Sequence, residues 1–205
     1  MKMKIHTILI TLLWGIGLTS VAQNSAPQAK KVLDKTAGIV GKKSGTSANF
    51  SIAFPNSSKA SGTISIKGNK FKAKTSEAIV WYNGKTQWSY MADTDEVNVT
   101  TPNKEEQNTM NPYTFINLYR TGYDLSMVTK GSNYVVTLQA QKKQPVQQMV
   151  ITINRSTSIP SQIKMLQSQG WTTINISNFQ SKNLADGLFN FNQKECPTAE
   201  IIDLR

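Results

Sequence analysis

A hairpin signature between Ala78 and Tyr90 constrains this 205-residue chain more than any other stretch. Two runs rich in β-branched and aromatic residues flank the dipeptide Asn83-Gly84. This dipeptide is preferred in two-residue type I′ turns, because both central residues of that turn need a positive φ. We therefore expect two short antiparallel strands, with Trp88 and Tyr90 on one strongly aromatic face.

Apolar and polar residues alternate along much of the remaining chain and predict further short strands. The alternation begins with Phe50, Ile52 and Phe54 and returns at Ile64 and Ile66. Glycine, proline and asparagine interrupt it at short intervals, as turns between consecutive antiparallel strands do. A meander is the expected topology. The predicted strands are 48–54, 63–67, 70–75, 78–82, 85–91, 97–99, 123–129, 133–140, 148–154, 159–167 and 171–179.

Two stretches show helical spacing instead. The first runs from Ser25 to Gly41, and Ser25 and Gln28 have the spacing of a capping box. The second runs from Asn111 to Thr121 and begins with an asparagine followed by proline. Each predicted helix has one apolar stripe, and the rest of the chain supplies only strands for it to cover.

The number of strands favours a curved sheet. Strongly twisted sheets of about ten or more strands tend to curl or close. No internal repeat or flexible linker interrupts residues 23–205, so we expect a single domain. We predict a mainly β fold with a few helices: one curled antiparallel sheet of about eleven strands, an unclosed half-barrel, with the helices covering its concave face.

Residues 1–22 have the pattern of a secretory signal peptide. Lys2 and Lys4 precede an apolar run from Ile8 to Leu18, and small residues follow up to Ala22, where cleavage is expected. The run is too short to cross about 30 Å of hydrocarbon. We therefore expect a secreted mature chain, residues 23–205, without a transmembrane span.

The composition of this mature chain excludes several chemistries. Cleavage would remove His6, the only histidine, and with it any Ser-His-Asp system or histidine-ligated metal. Cys196 is the only cysteine, so it is expected to be packed or, alternatively, to pair between chains. The mature chain keeps 21 basic and 12 acidic residues, a net charge of +9. Its scattered basic residues do not indicate nucleic-acid binding, but an anionic membrane surface or an acidic partner fits as well as a merely soluble surface.

Carboxylates alone remain for metal binding or acid–base catalysis. Asp93, Asp95 and Glu96 offer alternating oxygens in a turn, as calcium sites do, but the further ligands and the glycine of such a loop are missing. No phosphate-binding glycine loop follows a strand. We expect no metal, no cofactor and no catalytic residue, with a carboxylate-only enzyme such as a glycosidase as the alternative.

The aromatic residues allow three interpretations. They could form ordinary cross-strand pairs of a core, or a flat sugar-stacking platform in a secreted carbohydrate-binding or cell-surface module. They could also line an apolar cavity under the helices, where methionines adapt to ligands of irregular shape. The candidate ligand-contacting residues of that cavity are Ile64, Ile66, Phe71, Trp88, Tyr90, Val97, Phe115, Leu118, Met127, Met149 and Met165.

The order of motifs resembles that of the outer-membrane lipoprotein carrier protein (LolA) family. The resemblance covers the hairpin Asn83-Gly-Lys-Thr-x-Trp-x-Tyr90 and the strand–turn–strand pattern of residues 62–71. It continues with Asn111-Pro-Tyr-x-Phe115, Phe189-Asn-Phe191 and residues 199–205. The resemblance implies a half-barrel with a helical lid, and a monomeric periplasmic carrier that shields the acyl chains of lipid-modified proteins.

The resemblance also bears on partners and on the lid. Family members receive cargo from an inner-membrane export complex driven by ATP and pass it to an outer-membrane acceptor, without a catalytic step. Members with a latched lid carry an arginine in the turn after the second strand, where this sequence has Gly68 between Lys67 and Asn69. Lysine lacks the forked donor geometry of arginine, so we expect this lid to be held closed in another way.

Overall fold

A computed structural model describes residues 25–103 and 118–205. Within them the chain forms one α-helix, α1 (Ala26–Val40), and no helix there is long and apolar enough to cross a bilayer. Short 3₁₀ turns lie at Leu118–Arg120, Asp186–Phe189 and Gln193–Glu195. The strands are β1 (Thr46–Ala53), β2 (Lys59–Lys67), β3 (Lys70–Thr75), β4 (Ala78–Tyr82), β5 (Gln87–Met91), β6 (Glu96–Thr100), β7 (Tyr123–Lys130), β8 (Asn133–Ala140), β9 (Gln148–Asn154), β10 (Pro160–Gln167), β11 (Gly170–Ser181) and β12 (Glu200–Asp203).

All twelve strands belong to one curled sheet that stays unclosed. Their order is β12-β6-β5-β4-β3-β2-β1-β11-β10-β9-β8-β7, so two meanders join where β1 pairs with β11. The predicted curled, unclosed half-barrel is confirmed. The prediction missed β12. This strand pairs with β6 in the one parallel pair among the described strands, so the sheet is mixed.

The β4–β5 hairpin is present, but its turn differs from the predicted one. The N–H group of Asn83 donates to Thr86 O at 3.2 Å, which leaves Gly84 and Lys85 as the central residues. Of the four described residues of this turn, only Gly84 has a positive φ, 98°. The side-chain Oδ1 of Asn83 accepts the N–H groups of Lys85 and Thr86 at 3.0 and 2.9 Å. A type I′ turn on Asn83-Gly84 is therefore wrong, because the asparagine closes the turn with its side chain and only the glycine adopts the left-handed backbone.

Helix α1 lies across the concave face of the sheet. Its first half packs the fully buried Ala29 and Leu33 against β8, β9 and β10. Its second half packs Ala37 and Val40 against β2, β3 and β4. One apolar stripe of the helix thus bridges both halves of the sheet, as its periodicity predicts.

Two hydrogen bonds between buried or partly buried groups fix α1 to the sheet. The hydroxyl of Ser25 accepts the backbone N–H of Met127 on β7 at 2.9 Å. The predicted capping box with Gln28 is wrong, because this hydroxyl makes no side-chain cap and binds the sheet instead. The buried Thr36 donates its Oγ1–H to Ser158 O at 3.0 Å, between β9 and β10.

An acidic residue adds a third anchor. The Asp34 carboxylate accepts hydrogen bonds from Lys30 Nζ at 2.7 Å and from Tyr119 OH at 2.6 Å. The bonds from Lys30 and then from Tyr119 hold the pKa of Asp34 below its ordinary value. The helix is therefore joined to the 3₁₀ turn that precedes β7.

The second predicted helix, 111–121, falls mostly on residues 111–117, which lie outside the described residues. Its described end, Leu118–Arg120, is a 3₁₀ turn rather than the last turn of an α-helix. Tyr119 is buried there, and Leu118 packs partly against the same cluster as Leu33. The apolar face predicted for these two residues thus meets the core.

The outer, convex face also carries a core, which is covered by a C-terminal strap, residues 182–199. The ring of Phe191 meets that of Trp81 edge-on, with centroids 5.5 Å apart. Glu195 accepts a partly buried ion-pair bond from Lys72 at 2.6 Å. Cys196 is buried and free, and burial raises the pKa of its thiol. After the strap, β12 extends the sheet beside β6.

Candidate functional site

An apolar cavity of about 240 Å³ lies on the concave face beside the end of α1, where Val40 lines it. Strands β1, β2, β3, β10 and β11 form its walls, and only Thr46 and Ser47 contribute polar side chains. It is lined by Val40, Thr46, Ser47, Ala48, Phe50, Ile52, Ile64, Ile66, Ala73, Pro160, Ile163, Ile174, Ile176 and Phe179.

Strand alternation in β1 and β11 builds the floor of this cavity. Phe50 pairs with Ile176, and Ile52 pairs with Ile174, across the seam between the two strands. Alternation places these side chains on the same face. Helix α1 packs against one cluster that includes residues of β7–β10 and a second that includes residues of β2–β4, while Phe50, Ile52 and Ile174 on the central strands remain half-buried. The open space lies beside these half-buried residues, between the two clusters.

The cavity continues into a wider depression of about 680 Å³, which we call the mouth. Ile52 and Ile174 line both the cavity and the mouth, so the two spaces adjoin on the same strands, and we call them together the trough. The mouth lies where the β1–β2 and β10–β11 turns meet, and 39% of Phe54 at its rim is exposed. Its lining residues are Ile52, Phe54, Pro55, Asn56, Ser58, Met165, Gln167, Gln169, Thr172 and Ile174.

The structure brings part of the predicted contact set to this face. Ile64 and Ile66 line the cavity, and Phe71 packs beside it in the cluster that contains Val40. A second group lies in or against the cluster under the first half of α1, and comprises Leu118, Met127, Met149 and Met165. Phe115 lies outside the described residues.

Three predicted contact residues, Trp88, Tyr90 and Val97, lie on the opposite face. They belong to the outer cluster under the strap, together with Trp81. Trp81 on β4 pairs with Trp88 on β5. Tyr82, which follows Trp81 in the sequence, points to the opposite, concave face and packs in the cluster of Val40. These hairpin aromatics therefore form a core beneath the strap rather than an open sugar-stacking platform.

Sequence reasoning missed most of the cavity floor. Phe50, Ile52, Ile174, Ile176 and Phe179 line it but were not among the predicted contacts. Their alternation along two predicted strands was a usable signal. The pairing of β1 with β11 could not be predicted from local pattern, because the two strands are more than 100 residues apart in the sequence.

The described carboxylates lie away from this trough. Asp93 and Asp95 lie in the β5–β6 turn, and Glu96 begins β6. Neither the cavity nor the mouth includes an acidic residue in its described lining. Glu105 and Glu106 lie outside the described residues. Across residues 25–103 and 118–205, no group of three or more His, Cys, Asp or Glu side chains could hold a metal ion.

The turn that contains Gly68 does not hold α1. Lys67 Nζ donates to Leu184 O at 2.7 Å, and Lys70 Nζ donates to Asp186 at 3.0 Å. These lysines, Lys70 foremost, hold the pKa of Asp186 below its ordinary value. Both therefore secure the strap, and the helix is held by the separate anchors on Ser25, Asp34 and Thr36.

The sequence matches the family described as "Outer membrane lipoprotein carrier protein LolA" over residues 18–169. The chain belongs to this LolA family. A comparison with curated proteins finds no match.

Solved structures resemble this LolA-family chain at low sequence identity. An uncharacterized conserved protein from Thermus thermophilus has a TM-score of 0.58 at 11% identity, and the alignment covers 87% of this chain and 99% of that chain. A LolA superfamily protein from Nitrosomonas europaea has a TM-score of 0.43 at 14% identity, covering 80% and 97%. A putative outer membrane lipoprotein-sorting protein domain from Vibrio parahaemolyticus has a TM-score of 0.47 at 9% identity, covering 80% and 97%. The Thermus likeness supports the fold.

Proposed function

We propose that this protein is a periplasmic carrier of outer-membrane-destined lipoproteins. It shields their acyl chains in the apolar cavity under α1 and passes them to an outer-membrane acceptor. The observation that carries the proposal is the cavity itself, which is lined almost wholly by apolar side chains and is bordered by Val40 at the end of α1. Membership of the LolA family supports it.

The energetics explain why such a protein is needed. Each buried CH₂ group is worth about 0.8 kcal/mol, so two or three chains of about fifteen carbons carry a hydration penalty on the order of 25–35 kcal/mol. Spontaneous passage through water is therefore extremely slow. A carrier that offers apolar contacts removes this penalty without any catalytic step or cofactor.

The size of the cavity indicates that loading moves α1. Without the mouth, the cavity has a volume of about 240 Å³, below the roughly 300–1,000 Å³ of ordinary ligand pockets, so several acyl chains do not fit beside α1 in its present position. Among the described contacts, α1 is held by a few hydrogen bonds, each worth about 0.5–1.5 kcal/mol net. The burial of cargo offsets the loss of these bonds and of the helix contacts.

The proposed route involves two protein partners. An inner-membrane export complex loads the monomeric carrier, and an acceptor at the outer membrane takes the cargo. The net charge of +9 on the mature chain favours encounters with acidic surfaces on such partners.

Release of lipoproteins from spheroplasts tests the proposal. We expect purified mature protein to release a labelled, outer-membrane-destined lipoprotein into the soluble fraction as a complex with the carrier. The matched control is Ala73→Phe, which fills the cavity and should release little cargo. Absence of release by the wild type, combined with binding to polysaccharide, would overturn the carrier function in favour of a carbohydrate-binding module.

A further inference from the structure

The mouth has no charged lining residue. Its ten lining side chains are all uncharged, although the whole chain has a net charge of +11. Two nearby lysines face the other side of the sheet. Lys59 lines an outer depression with Ser51 and Asn175, and Lys164 lies over the ring of Trp171, 5.3 Å from its centroid.

Neutral amide and hydroxyl groups supply the polarity of the mouth. Gln167 and Gln169 come from one turn, and Asn56 and Ser58 come from the other. Asn56 Oδ1 already accepts the N–H and Oγ–H groups of Ser58 at 3.1 and 2.6 Å, so its NH₂ group is the donor that it can offer. Such groups pair well with ester and amide carbonyls. They do not neutralise a phosphate or a carboxylate as lysine or arginine does.

The trough is long enough for a chain that enters end-on. The eight residues of β1 span about 26 Å at about 3.3 Å per residue. An acyl chain in a bilayer occupies one leaflet, about half of the roughly 30 Å hydrocarbon core. The far end of the trough is covered by α1 at Val40, whereas the end at Phe54 is open.

We propose that acyl chains enter tail-first through the mouth, and that the mouth binds an uncharged head group bearing esters or amides. This inference rests on the proposed carrier function and adds the direction of uptake and the chemistry of the head group. An anionic head group would lose hydration among groups that provide no counter-charge, at a cost that hydrogen bonds only partly offset.

Two competitors that differ only in the head group test this selectivity. An apolar fluorescent probe, N-phenyl-1-naphthylamine, is bound to the mature protein and displaced by dioctanoylglycerol or by dioctanoyl phosphatidic acid. We expect the neutral lipid to act at a concentration at least about tenfold lower, a difference of about 1.4 kcal/mol. The positive net charge of the protein by itself favours the anionic lipid. A preference for the neutral lipid therefore cannot result from the net charge of the protein.

Matched lysine substitutions place the selectivity on the mouth. The Asn56→Lys and Gln169→Lys double variant should reduce or reverse the preference for the neutral lipid. Asn175→Lys, an exposed position on the outer face, should leave it unchanged. An equal shift in both proteins, or a wild-type preference for phosphatidic acid, would overturn the proposed head-group site.

The direction of uptake has its own readout. Phe54 and Met91 are both 39% exposed, so Phe54→Asp and Met91→Asp add the same charge at equally exposed positions. We expect the association rate of the probe to fall about tenfold in Phe54→Asp alone. Equal rates in the two variants would overturn uptake through the mouth. Absence of probe binding to the wild type would instead overturn the carrier function.

Discussion

The Ala73→Phe variant is expected to lose at least about tenfold in affinity for an acyl probe, while the empty protein becomes more stable. Ala73 lines the cavity on β3, where a phenyl ring would occupy much of the 240 Å³ that the chain leaves open. Blocking this space removes at least about 1.4 kcal/mol of binding free energy. Filling it adds apolar contacts, and cavity-filling substitutions commonly stabilise by about 0.5–2 kcal/mol.

Equilibrium binding and chemical denaturation measure these opposite effects. Ala53→Phe is the control, because Ala53 is also half-buried in a strand but lies on the outer face, where it lines no part of the cavity. We expect the control to bind the probe as the wild type does. Undiminished binding by Ala73→Phe, with the fold intact, would show that acyl chains bind elsewhere.

The second large effect, a loss of stability, is expected from substitution of Trp81, a central residue of the outer cluster. Trp81 is fully buried beneath the strap, and Phe191 and Lys72 contact its ring. Its indole Nε1–H has no hydrogen-bond partner among the described residues, so packing supplies its contribution. Trp81→Ala should lower the free energy of unfolding by about 3–5 kcal/mol. Acyl affinity, measured below the unfolding transition, should change less than twofold, because Trp81 does not line the cavity.

Trp171→Ala provides the control for this prediction. Trp171 is 38% exposed and contacts Lys164, so Trp171→Ala should destabilise the protein less than Trp81→Ala does. Urea denaturation of the two variants compares a buried and an exposed tryptophan on the same sheet. A loss at Trp81 no larger than that at Trp171 would mean that the strap does not form a core with the sheet.

Much of the fold could be predicted from local periodicity. The extents of β3, β4, β8 and β9 follow directly from alternation between turn residues. The twelfth strand could not be predicted in this way, because β12 has four residues and pairs in parallel with β6, about 100 positions earlier. A parallel pair is not joined by a short turn, so no local sequence pattern indicates the pairing.

The candidate site was harder to predict for a related reason. Alternation shows that Trp88 and Tyr90 share a face, but not which face α1 covers. The long-range strap decides this, because Phe191 and Cys196 join the outer cluster that contains both aromatics. The register of the hairpin was also predictable only in part, since the side chain of Asn83 closes the turn one position later.

Photo-cross-linking with a diazirine-bearing acyl chain tests the central claim most directly. The probe is bound to the mature protein, activated by light, and its adducts are located by mass spectrometry. We expect adducts on the strands that form the trough, at Ile64, Ile163, Ile174, Ile176 and Phe179. Adducts confined to exposed residues such as Ile201 and Leu204, or to the outer cluster at Trp88 and Tyr90, would contradict a hydrocarbon site between α1 and the concave face.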